Sequence, residues 1–150
     1  MTMRGAKPTM RVLLSLTFPM PPTSNHIYVN LRGRGGRMLS QEATRYQAKV
    51  RALVVQELLR PENALLDLAP DRPYGVWLRY WFERIETVSP GAKHRFVRQD
   101  LPNRDKLLVD TVSDALGLDD LHIFFMAMDK WVDPANPRVH YLLLEMKEVH

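Results

Sequence analysis

YGVWLRYWFE, residues 74–83, decides the fold class. Tyr74, Val76, Leu78, Tyr80 and Phe82 fall on one side of its alternation and Trp77, Arg79 and Trp81 on the other, which predicts a strand largely covered on both faces. A sheet must lie on something, and the neighbouring stretches supply it. Upstream, Ser40 precedes Ala43, Tyr46, Val50, Leu53, Val54 and Leu58 at three- and four-residue steps, with Glu42 in the first turn and Pro61 as the stop. That spacing predicts a capped helix with one apolar stripe. Downstream, a second helix is predicted to begin near Asn103, with Leu108, Val112, Ala115 and Leu116 on its apolar side and Gly117 as a left-handed cap.

Further out, MRVLLSLTF (10–18) reads as a buried strand stopped by Pro19, Pro21 and Pro22. IFFMAM (123–128) and VHYLLLEM (139–146) read as two strands, and the turn-rich DPANP between them suggests antiparallel neighbours. Met126 and Met128 look like core within this pattern. The expected order is β-α-β-α-β-β, an α+β fold with two helices packed on a mixed sheet. Residues 10–150 are read as a single domain and residues 1–9, with Arg4 and Lys7, as a flexible basic tail.

Composition narrows the chemistry. A chain of 150 residues with 45% hydrophobic content can bury one core, and a net charge of +4 favours an anionic partner without naming it. The absence of cysteine excludes disulfides, thiolate zinc sites and a cysteine nucleophile. Neither a membrane span nor a secretion signal is visible, so a cytoplasmic setting is the simplest expectation. His26, His94, His122, His140 and His150 lack metal-ligand spacing, and no phosphate-binding Gly-Lys loop occurs.

The chemically informative stretch is RQDLPNRDKLLVDTVSDALGLDD, residues 98–120. Asn103, Lys106 and Asp110 share one face of the second helix, opposite Leu108, Val112 and Ala115, with Asp100 just before it. Asp119 and Asp120 follow Gly117 at the entrance to a strand. Aspartates converging from separate elements suit hard, oxygen-loving cations such as Mg²⁺, which can activate water against a phosphodiester. The same spacings also serve as a helix cap and a solvated turn.

The segments resemble the RusA family of Holliday-junction resolvases. That family carries Pro-Pro-Ser-x-Asn after the first strand and Asp-x-Asp-Asn-x-x-Lys-x-x-x-Asp into a helix that leads to an Asp-Asp pair. Here the first place holds Pro21, Pro22, Thr23, Ser24 and Asn25; the second holds Asp100, Leu101, Pro102, Asn103, Arg104, Asp105, Lys106 and Asp110, followed by Asp119 and Asp120. The resemblance implies Asp100 and Asp120 as metal-binding aspartates, Lys106 as the active-site lysine, Mg²⁺ as cofactor, branched DNA as substrate and a homodimer. One position departs: Pro102 stands where the family has its second aspartate, and Asp105 or Asp119 could supply that carboxylate. The implied function is a nick in four-way or related branched DNA; the alternative is a protein of the same fold that binds such DNA without cutting it.

Arg32, Arg34, Arg37, Lys93, Arg95 and Arg98 gather in two loops, one Gly-rich and one beginning after the central strand. They are the expected contacts to a phosphate backbone, giving affinity and salt dependence rather than base reading. Trp77, Trp81 and Trp131 are read mainly as packing.

Overall fold

The computed structural model describes residues 10–31, 33, 35–87, 90–97 and 101–147. The alternation of the opening stretch becomes β4 (Tyr74–Phe82), whose Tyr74, Val76, Leu78 and Tyr80 have no solvent exposure. It lies inside a four-stranded sheet of order β1-β6-β4-β5, with β1 at Met10–Phe18, β5 at Ile123–Val132 and β6 at Arg138–Met146. β6 runs antiparallel to both β1 and β4, and β5 runs parallel to β4. The sheet is therefore mixed, and the α+β reading holds. Gly75 admits β5 closely, since a Cβ there would stand 3.2 Å from the Phe125 ring.

Two helices cover one face. α1 (Gln41–Leu58) starts where Ser40 Oγ accepts the Ala43 N–H at 3.0 Å and buries Ala43, Tyr46, Val50 and Val54. Burying Val50 and Val54 contributes about 1.5–3 kcal/mol each. α2 (Leu101–Leu116) ends on Gly117, at φ 72°, where the Leu118 N–H reaches Ser113 O at 2.8 Å and the Gly117 N–H reaches Asp114 O at 3.1 Å. Those paired bonds satisfy carbonyls that the last turn would otherwise leave open.

Two sequence expectations need correction. β5 and β6 are not neighbours, because β4 lies between them. The 133–137 loop carries the chain past the end of β4, with the Asp133 N–H on Phe82 O at 2.8 Å and Arg138 on Asp133 at 2.7 Å. β6, which buries Val139, Tyr141, Leu143 and Leu144, takes the inner place, and the more exposed β5 takes the edge. The Gly-rich run is also more ordered at its flanks than a plain loop. β2 (Tyr28–Asn30) and β3 (Arg37–Leu39) pair antiparallel, with the Leu31 N–H on Gly36 O at 3.2 Å.

The helix-free face of the sheet is polar and aromatic together. Arg79 donates two bonds of 2.8 Å to Asp129, and its guanidinium lies 5.1 Å from the Trp131 ring centre. These bonds hold the Asp129 carboxyl below its ordinary range. Trp131 is half-exposed there, while Trp77 and Trp81 are partly covered as expected. Residues 1–9, read as a tail, lie outside the described residues.

Candidate active site

The crossover from β4 through α2 to β5 places an acidic wall beside an apolar floor. Pro102, Asp105, Lys106, Val109 and Asp110 of α2 face Ile123, Phe124, Phe125, Met126 and Met128 of β5 across a cleft of about 560 Å³, with Asp120 at the joint between the two elements. Asp110 and Asp120 also line a second hollow of about 420 Å³ with Ser113, Asp114 and Asp119. Both carboxylates thus stand on the ridge between two hollows.

Helical spacing brings Lys106 and Asp110 to one exposed side of α2, four residues apart. Asp120 arrives from the other direction, opening a single 3-10 turn, Asp120–His122, that passes directly into β5. His122 fixes that turn: its Nδ1 accepts the Asp119 N–H at 3.2 Å, and its own N–H bonds Asp119 O at 3.0 Å. Partial burial, then the Asp120 carboxylate, raise Asp110 above its ordinary carboxyl value, and the Lys106 ammonium pulls it back. A carboxylate whose charge is disfavoured by a neighbouring carboxylate marks a place where a cation is welcome.

Asp105 lies elsewhere than expected. A carboxylate standing in for Pro102 is expected exposed on the side of Pro102, but Asp105 is buried, and the Tyr80 hydroxyl donates to its Oδ1. The reason is its position three and seven residues before Leu108 and Val112, which puts it on the covered stripe of α2. Burial pushes its carboxyl up, and the Tyr80 bond partly offsets that. Next to it Arg104 is also buried, donating to Pro22 O at 3.3 Å with its guanidinium 5.8 Å from the Phe82 ring centre. The Pro21–Pro22 corner is thereby tied to the helix that carries the acids. Tyr46 adds a second tie, its hydroxyl donating to Pro19 O at 2.8 Å.

Of the residues singled out in sequence, Asp120, Lys106 and Asp105 meet at the first cleft, and Asp119 lies beside the second. Asp100, Arg32, Arg34 and Arg98 lie outside the described residues. Arg37, Lys93 and Arg95 are exposed. The second basic loop is braced by a Glu86–Phe96 bridge and by Arg95 on Glu86 at 2.7 Å. Sequence reading placed Asp110 on the right helical face without assigning it a role; only the tertiary approach of Asp120 distinguishes it. Met126 and Met128, read as core, are exposed on the cleft floor.

The donor set is carboxylate oxygen, which suits a hard divalent cation. Among the described residues no group of three acidic, histidine or cysteine side chains could hold a metal ion. Nor is any described helix long and apolar enough to cross a membrane.

Fold and cleft together define a two-layer α+β protein with an acid-walled, apolar-floored groove. No family model matches the chain. It is 28% identical over 133 residues to the crossover junction endodeoxyribonuclease RusA of Shigella sonnei (strain Ss046), spanning 88% of this chain and 94% of that protein. The protein of the same name from Escherichia coli (strain K12) is 28% identical over the same shares. A likeness that covers nearly all of both sequences supports a RusA-like family.

Proposed function

We propose that this chain is a Mg²⁺-dependent endodeoxyribonuclease that nicks four-way or related branched DNA and acts as a homodimer. The observation that carries the reading is the meeting of Asp110, Asp120 and Lys106 at one cleft in a chain similar over nearly its whole length to RusA. Asp110 and Asp120 would hold the cation, with Asp100 as a further donor, and Asp119 and Asp105 as the remaining candidates for the carboxylate absent at Pro102. A divalent ion bound there supplies charge neutralisation at phosphate oxygens and a water of lowered pKa. Lys106 offers its ammonium to the same phosphate, and the Tyr80 hydroxyl holds Asp105 in place within the wall. Two equivalent clefts related by a twofold axis match the paired nicks that resolving a junction requires.

A second reading, binding without cutting, has its own support in Pro102, whose side chain cannot ligate a metal where the resembling family has an aspartate. Nicking of a synthetic four-way junction with Mg²⁺ and with chelator separates the two.

The basic loops give an independent expectation. Lys93→Ala and Arg37→Ala should each weaken binding to every DNA sequence alike and flatten the dependence of log K on log salt by about one. Arg32, Arg34, Arg95 and Arg98 belong to the same proposed contact set. Titration of labelled junction in chelator at several salt concentrations measures the slope, and an unchanged slope in the Lys93/Arg37 double variant would remove these loops from the DNA contact.

A further inference from the structure

Among the described residues Arg104 is the one buried base, with 7% exposure. Arginine is almost never buried without partners, because taking its charge out of water is costly, and a methionine would fill the same space without that cost. The guanidinium is spent on geometry. Its Nε donates to Pro22 O at 3.3 Å, and its plane lies 5.8 Å from the Phe82 ring centre. Burial raises the Tyr46 and Tyr80 hydroxyls and the Arg104 charge pulls both back, so it stands within reach of both. The corner after β1, α1, β4 and α2 therefore meet around one side chain, and the Tyr46 hydroxyl holds the same corner through Pro19 O at 2.8 Å.

That corner is the seat of the basic hairpin. Past Pro22 the chain makes a single turn, with the His26 N–H on Thr23 O at 2.8 Å, buries Ile27 completely, and enters β2 at Tyr28. The returning stem comes back to the same place, where the Ser40 N–H bonds Ile27 O at 2.8 Å and Ser40 caps α1. On the other side of Arg104, the next two residues of α2, Asp105 and Lys106, already line the cleft. We propose that Arg104 is a positioning residue for DNA: it holds the β2–β3 hairpin at a fixed offset from the acidic wall, so that a phosphate gripped by exposed Arg37 lies in register with the cleft. A planar fork of N–H donors fixes such an offset better than a flexible lysine. The inference rests on the nuclease reading for what the cleft does with the strand it receives.

Binding of a labelled four-way junction in chelator, over a series of salt concentrations, tests the coupling in the full-length protein. Arg37→Ala alone should weaken binding about tenfold and flatten the salt slope by about one. Arg104→Met fills the same space without charge or donors, and it should itself flatten the slope by about one although the buried side chain touches no phosphate. In that background Arg37→Ala should cost less than about twofold, a coupling that a merely structural role would not produce. Urea unfolding establishes that each variant is folded at the assay temperature. Tyr46→Phe keeps its ring and loses only the bond to Pro19 O, so it serves as the milder background and should reduce the Arg37 effect in smaller measure. An Arg37→Ala loss of the same factor in all three backgrounds overturns the role of Arg104, and so does an Arg37→Ala protein that binds like the parent. Nicking with additive losses refutes this role alone; coupling in a protein that never nicks refutes the nuclease reading and leaves Arg104 in its role.

Discussion

If the proposed nuclease reading holds, Asp120→Asn is expected to lower nicking by about 10²-fold or more and to leave junction affinity in chelator equal or higher. Asparagine keeps the shape of the turn but removes the charge that a hard cation requires, and several kcal/mol of transition-state stabilisation go with it, at about 1.4 kcal/mol per decade of rate. Affinity does not fall, because a carboxylate facing phosphate is repulsive when no metal intervenes. Asp110→Asn should behave in the same way, since Asp110 and Asp120 share both hollows and the Asp120 carboxylate raises Asp110. Asp100→Asn belongs with them on the resemblance alone. Single-turnover nicking in saturating Mg²⁺, paired with binding in chelator, measures both halves of the expectation. A variant that nicks at the rate of the unaltered protein takes its residue out of the mechanism.

The second large effect is on stability. Tyr80 is wholly buried, stacks on Phe82 with ring centres 5.6 Å apart, and donates its hydroxyl to buried Asp105. Tyr80→Phe preserves ring and stack and removes only the donor. A buried acceptor left without it costs about 1–3 kcal/mol, and more if it stays charged. For a chain of this size that lowers Tm by about 2–4 °C per kcal/mol. Asp105→Asn keeps an acceptor for the tyrosine without the burden of a buried charge, so its stability should stay within about 1 kcal/mol of the unaltered protein. Thermal and urea unfolding of both variants and the double variant gives the coupling between them. A Tyr80→Phe protein as stable as the parent would show that the hydroxyl does not support Asp105. Nicking by Asp105→Asn then decides the residue's part: lost activity at full stability assigns its charge to the site, and unchanged activity leaves it the structural bond to Tyr80 alone.

How far the sequence spoke for itself differs from element to element. Ser40 and the stripe from Ala43 to Val54 predicted α1 because capping and helical periodicity are local, and β4 was legible because strict alternation has few other solutions. Gly117 marked the end of α2 for the same reason. The place of β5 was not legible. An unbroken apolar run reads alike whether it is sealed in a core or left at an edge, so Met126 and Met128 were assigned to the interior. Strand order is a tertiary outcome as well, and a short turn-rich loop such as 133–137 can close a hairpin or cross a strand end.

In the site, α2 periodicity placed Lys106 and Asp110 together, while the approach of Asp120 required the crossover to be known. The burial of Asp105 does have a sequence signal, its spacing to Leu108 and Val112, which puts it on the apolar stripe of α2. Its partner Tyr80, twenty-five residues away on another element, carried none.

Cutting of branched DNA at the Asp110–Asp120 cleft is open to a single assay. In it, the unaltered full-length protein is incubated under single-turnover conditions with an end-labelled four-way junction and a linear duplex of matching sequence, in Mg²⁺ and in chelator. Nicks are expected at symmetric positions in opposing junction strands, dependent on Mg²⁺, with the duplex left intact. Tight junction binding with no nick under Mg²⁺ or any other divalent metal would leave the chain a binding protein and not a nuclease.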